Sequence, residues 1–162
     1  MINILKMDYQ RFKSNKVMYI LLLLFIGFQI FGVFMMKQYE EPIEHGGISV
    51  STMNESQFLQ LMLSQPPSWL LLYITVFTVY FYMSEYQSGF YKNYLSLKNA
   101  RIYSVISKIM IIGAFTLLMF VAMIISDLIG RSLFFHHAAI GDLSYFVNLL
   151  IGQFLLHWAF AL

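Results

Sequence analysis

The amino-acid sequence predicts an all-α protein, a polytopic bundle of transmembrane helices, from its composition, its apolar segments and its charge distribution. Only 11% of its 162 residues are charged and 59% are hydrophobic, whereas soluble domains average about 25% charged residues. Uncharged apolar segments recur, each near the roughly 20 residues with which a helix crosses the hydrocarbon core. The chain has no cysteine, which excludes disulfides, thiolate metal sites and cysteine nucleophiles.

The N-terminal segment predicts a short amphipathic helix. On a helical wheel the apolar side chains share one arc and the polar ones share another; these are Met1, Ile2, Leu5, Tyr9 and Phe12 against Asn3, Lys6, Gln10 and Lys13. Ser14-Asn15-Lys16 then separates this helix from the first span. Two interpretations stay open: a basic flank that only sets topology, or an elbow helix lying on the membrane.

Four apolar segments are predicted to span the membrane as helices, because a backbone in lipid must bond internally. They cover residues 17–36, 68–84, 109–126 and 145–162, and all four contain no Lys, Arg, Asp or Glu. The formal charges are therefore expected outside the spans, and residues 1–162 form a single transmembrane domain.

The basic residues of the connecting segments predict the orientation of the chain in the membrane. Residues 1–16, 37–67, 85–108 and 127–144 hold four, one, four and one Lys or Arg. The positive-inside rule therefore places the N-terminus and loop 85–108 in the cytoplasm, and loop 37–67 outside the cell. Within the outer loop, Thr52 or Asn54 is expected to cap a short helix that runs to Leu63. The fourth span lacks an inner basic flank, so we expect the native chain to continue beyond Leu162.

The cytoplasmic loop is the most informative segment. Gly89 is expected to end the helix of span two. Residues 90–97 form a short aromatic and basic helix candidate, and Asn99 is a good N-cap for a second helix that runs from residue 100 into span three. A short helix with an apolar face, held between two spans, suits docking into a groove of another protein.

A few polar side chains lie within the spans. Thr75, Thr78 and Tyr82 share one helix face, and Gln153 and His157 are one turn apart. Such side chains usually form hydrogen bonds to neighbouring helices. The alternative is that they line a polar pathway through the membrane. His136-His137 near Asp142 has no metal-binding spacing, and Walker A, GxSxG and kinase motifs are absent from the sequence. We therefore expect no enzymatic activity and no metal site.

This layout resembles the permease subunits of ABC-2-type transporters, notably the bacterial ones linked to peptide antibiotics and lantibiotics. The resemblance lies in the basic segment of residues 5–14, then Glu85, Gly89, Lys92-Asn93, Asn99, Arg101 and Ser107-Lys108 after span two. It covers the whole chain, which would form about two-thirds of a six-span permease. It implies that residues 90–97 form a coupling helix; the residues expected to couple to an ATPase are Glu85, Gly89, Phe90, Tyr91, Lys92, Asn93, Tyr94, Leu97 and Arg101.

The resemblance also implies partners. A separate ATPase subunit would bind ATP and Mg²⁺, so this chain would need no cofactor. A second, identical or homologous permease subunit would complete the pathway in the bacterial cell membrane, with no role for nucleic acid. Substrates of such proteins are lipids, polysaccharides, drugs and amphipathic peptides. The alternative is a non-transporting immunity or assembly protein that acts by binding partners.

Overall fold

Helices make up nearly all of the part of the chain that the structure describes. A computed structural model describes residues 2–38, 52–64, 68–87, 89, 100–135 and 141–162. In these ranges the helices are α1 (Ile2–Ser14), α2 (Lys16–Gln38), α3 (Glu55–Ser64), α4 (Trp69–Gln87), α5 (Ala100–Phe134) and α6 (Leu143–Ala161). The predicted all-α class is confirmed for these ranges.

Local capping explains where several helices begin. The Asn15 side chain accepts a hydrogen bond from the Val17 backbone N–H at 3.0 Å, so it caps α2 and confirms the predicted break after α1. At the start of α3, the Asn54 backbone N–H donates to the Gln57 side chain at 3.0 Å, which is half of a capping box. The helix expected in the outer loop therefore exists, and its first turn is the one that the sequence indicated.

Three of the described helices are long and apolar enough to cross a membrane: Lys16–Gln38, Ile102–Phe134 and Leu143–Ala161. Together with the composition they indicate a membrane protein. Four such helices were expected. The helix not among these three is α4, whose apolar residues are interspersed with tyrosines, threonines and Glu85.

Helix α5 is the central element and is longer than predicted. It begins at Ala100, where a helix running into span three was expected, but it ends at Phe134 rather than near residue 126. Asp127 and Arg131 therefore belong to the helix and to its candidate span, as does Lys108. These three residues flank the uncharged segment 109–126, and the 33-residue candidate span is longer than one membrane crossing needs. The expectation that the formal charges lie outside the membrane therefore stays a prediction.

The core forms where α1, α2, α4 and α6 pack on α5. Phe77 and Phe115 stack with ring centroids 3.8 Å apart, and Phe12 of α1 meets Phe77 edge-on at 5.8 Å. Large apolar side chains also point outward along α2, α5 and α6. A soluble monomer rarely exposes so much contiguous apolar surface, whereas lipid would cover it.

Candidate functional site

The two ends of loop 85–108 are joined by an ion pair. Glu85 is in the last turn of α4 and Lys108 lies two turns into α5. The Lys108 Nζ lies 2.8 and 3.1 Å from the two carboxylate oxygens of Glu85, and it also donates to Ser104 Oγ at 2.7 Å. Both residues are less than 10% exposed. This pair closes the base of the loop and fixes α4 against α5.

Helix α1 is attached to the same pair through charged groups. Asp8 accepts a hydrogen bond from Ser107 Oγ at 2.6 Å, and it forms an ion pair with Arg11 Nη1 at 3.3 Å. Arg11 Nη1 also lies 3.7 Å from Glu85 Oε2. We call Asp8, Arg11, Glu85, Ser107 and Lys108 the α1 cluster.

Further contacts of Arg11 reach α4. Its Nη2 donates to Ser84 Oγ at 3.1 Å, and its guanidinium lies 4.9 Å from the centre of the Phe81 ring. Phe12, the next residue, enters the aromatic core described above. Helix α1 is therefore held by ionic and apolar contacts at once, and it contacts both helices that flank loop 85–108.

The α1 cluster is electrically balanced, with two acids and two bases. Burial raises the pKa of the Asp8 carboxyl above its ordinary value, while the Ser107 hydrogen bond, Arg11 and Lys108 act in the opposite direction and Glu85 adds to the rise. The cost of removing the Asp8 carboxylate from water therefore exceeds the stabilisation of its charged form by Ser107, Arg11 and Lys108.

The remaining predicted coupling residues are described only in part. Gly89 has φ 65° and its N–H donates to the Tyr86 carbonyl oxygen at 3.1 Å. This left-handed conformation favours glycine, and α4 ends just before it, at Gln87, as predicted. Arg101 lies in the first turn of α5. The others lie outside the described residues: Phe90, Tyr91, Lys92, Asn93, Tyr94 and Leu97.

The candidate pathway residues of α4 have different surroundings. The Thr75 and Thr78 hydroxyls donate to backbone carbonyls of their own helix at 2.8 and 2.9 Å. Thr75 is exposed and Thr78 is buried. Tyr82 packs its ring 5.5 Å from the Lys108 Nζ, next to the α1 cluster. Their common helix face therefore does not give them a common environment, and a polar pathway stays a prediction.

The two polar residues of α6 join that helix to α4. His157 is buried, and its Nδ1 lies 2.8 Å from the Gln153 carbonyl oxygen, so Nδ1 donates. Its Nε2 then accepts from Ser68 Oγ, 3.2 Å away at the start of α4. The sequence indicated Gln153 and His157 together but not Ser68, although the position of Ser68 just before α4 is typical of an N-cap.

A second buried group of charges lies toward the other end of α5. Arg131 donates through Nη1 to Glu55 Oε2 at 2.7 Å and through Nη2 to the Met53 carbonyl oxygen. Its guanidinium lies 5.1 Å from the Phe58 ring centre. Glu55 opens α3, where a negative charge also suits the helix dipole. Arg131 thus fixes α3 to α5.

Asp127 lies one turn before Arg131 and contacts α2. Its Oδ1 accepts a hydrogen bond from Gln29 Nε2 at 2.8 Å. We call Gln29, Glu55, Asp127 and Arg131 the α3 cluster. Its three charged members are 0% exposed. Residues 109–126 separate the two clusters with no formal charge over about 28 Å of helix, so the clusters are about a hydrocarbon core apart.

Comparisons with protein-family models, curated proteins and solved structures found no match. Within the ranges that the structure covers, no three His, Cys, Asp or Glu side chains come together as a metal site.

Proposed function

We propose that this chain is the transmembrane permease subunit of an ABC transporter. It would move a hydrophobic or amphipathic substrate, with peptides as one candidate class, across the cell membrane. A separate ATPase subunit would hydrolyse ATP, and a second permease subunit would complete the pathway. In this proposal α4 is the second of four spans, and α1 is an elbow helix at the cytoplasmic surface.

The α1 cluster is the observation that carries this proposal. Both ends of loop 85–108 contribute to it, through Glu85 and Lys108, and α1 joins it through Asp8 and Arg11. A displacement of the loop would therefore reach α1, α4 and α5 together. Such a connection suits a subunit whose helices move as rigid elements between inward-facing and outward-facing populations.

The alternative is a membrane protein that binds partners without transport, as an immunity or assembly factor would. It needs no connection between a cytoplasmic loop and the spans, which is why the α1 cluster favours the permease. The two are distinguished by the neighbouring genes and by co-purification. A P-loop ATPase encoded beside this chain that co-purifies with it supports the permease.

The test replaces the aromatic residues of the loop. Phe90→Ala combined with Tyr94→Ala should weaken ATPase association or uncouple hydrolysis from transport, because buried interface aromatics commonly contribute about 2 kcal/mol or more. The variant should insert normally, since neither residue lies in a span. The measurement is substrate-stimulated ATP hydrolysis and transport by the purified complex in vesicles.

The control is Lys37→Ala at the end of α2, far from the loop, which should leave coupling intact. Unchanged hydrolysis and transport in the Phe90/Tyr94 double variant would show that the loop is only a linker. The permease proposal would then lose its main support.

A further inference from the structure

The charges of the α3 cluster do not balance. Glu55 and Asp127 are two acids, and Arg131 is the base that neutralises one of them; all three are 0% exposed. Within the part of the chain that the structure describes, the Asp127 Oδ2, Glu55 Oε1 and Arg131 Nε atoms are buried without a hydrogen-bond partner. A buried charge without a counter-charge is costly, and among the described residues one positive charge is missing from this site.

The chemistry of the site selects a proton as that charge. Hard metal cations such as Ca²⁺ and Mg²⁺ collect about six or more oxygen ligands. Here Glu55 Oε2 and the Met53 carbonyl oxygen bind Arg131, and Asp127 Oδ1 binds Gln29. Two bare carboxylate oxygens remain, which are too few for a metal, whereas a proton needs only one.

Asp127 is the acid that would carry it. Glu55 forms a charge-assisted bond with Arg131 at 2.7 Å, and this bond favours its ionised form. Asp127 receives its one described hydrogen bond from the neutral amide of Gln29, and a protonated acid can also accept this bond through its carbonyl oxygen. The charged groups that act on Asp127 are Glu55 of α3 and Arg131 of its own helix.

We propose that the α3 cluster binds one exchangeable proton, held on Oδ2 of Asp127. Binding adds one proton from solvent to the carboxylate and changes the net charge of the cluster from −1 to zero. Release restores a buried negative charge that competes with Glu55 for Arg131. Proton occupancy would therefore control how firmly α3 is fixed to α5. This proposal does not depend on the permease assignment.

Infrared spectroscopy of the purified full chain tests the proposal directly, because a protonated carboxylic acid has a carbonyl stretch that a carboxylate lacks. The wild-type protein should show one such band near neutral pH, and labelling aspartate with ¹³C should shift it. Asp127→Asn should abolish the band. Asp142→Asn, at the exposed N-cap of α6, is the matched control and should keep it.

The variant Glu55→Gln tests most directly whether the charge of Glu55 keeps the proton on Asp127. Without the Glu55 charge, Arg131 becomes the counter-ion of Asp127, so the band should disappear although Asp127 is still present. A merely structural role for Glu55 would leave the band in place and would contradict the proposal. The isotope shift needs no variant, so the proposal stays testable even if Asp127→Asn does not fold.

Three further results would overturn the inference. One is a wild-type protein with no protonated-acid band near neutral pH. Another is a band that survives in Asp127→Asn. The third is a band that disappears when choline chloride is replaced by sodium or potassium chloride at constant pH, which would assign the site to an alkali cation.

Discussion

Asp8 is one of four charged side chains that the α1 cluster removes from water. Because burial raises the pKa of its carboxyl, the folded protein binds this proton more tightly than the unfolded chain does. The stability gained in this way is fully present below the ordinary aspartate pKa of 3.8. It is lost as the pH rises through the higher pKa of the folded state.

Replacing Asp8 should therefore change how stability depends on pH. The thermal midpoint of the wild-type protein in detergent should fall as the pH rises above 3.8, and Asp8→Asn should make this fall shallower. The comparison isolates Asp8, because Arg11, Glu85 and Lys108, which surround it, are unchanged. Asp142→Asn should follow the wild-type curve. An Asp8→Asn curve parallel to that of the wild type would contradict the prediction.

Pairs of residues were the part of the site that sequence reasoning could least predict. Glu85 and Lys108 were both singled out, but the contact of Arg11 with Glu85 and that of Asp8 with Ser107 join positions 74 and 99 residues apart. No local pattern reports such a pairing. Asp127 did carry a usable signal, because it follows an apolar run directly and has Arg131 one helical turn later, a spacing that places both on one face.

Helix boundaries were predicted well where a local signal exists. The break after Ser14, the start of α3 near Asn54 and the stop at Gly89 each follow from a cap or a glycine. Helix α5 begins at Ala100, as predicted, while Asn99 lies outside the described residues. The end of α5 was not predicted. The expected span stopped at the first charge, whereas the helix continues because Gln29 and Glu55 supply partners for its charges.

The close packing of α2 on α5 leads to a prediction about Gly130. A methyl group there would lie 3.1 Å from the Cβ of Val33, which is fully buried. Gly130→Ala should therefore destabilise the protein, since overpacking costs about 1–3 kcal/mol and the gain in helix propensity is at most about 1 kcal/mol. The measurement is the midpoint of denaturant unfolding.

Gly32→Ala is the matched control, because this glycine also lies in a helix and a methyl group there meets nothing within 4 Å. It should keep the gain in helix propensity and be as stable as the wild type or more so. Equal stability of the two variants would show that α2 and α5 are not in close contact at Gly130.

The orientation of the whole chain is open to a direct test, because it contains no cysteine. The alternation of basic residues predicts that loops 37–67 and 85–108 lie on opposite sides. Ser49→Cys should react with a membrane-impermeant maleimide in intact cells, and Ser96→Cys only after permeabilisation. Both positions lie outside the described residues. Labelling of Ser96→Cys in intact cells would reverse the topology.

The separation of the two clusters has a consequence for the lipid. Because both clusters bond α5 to other helices, α5 is held against sliding along its neighbours, and the length of its uncharged segment is fixed. A thicker bilayer would have to thin around the protein, and a thinner one would have to make α5 tilt, each at fractions of a kcal/mol per ångström of mismatch. The chain is therefore matched to one bilayer thickness, and lipid composition becomes a determinant of where it is stable.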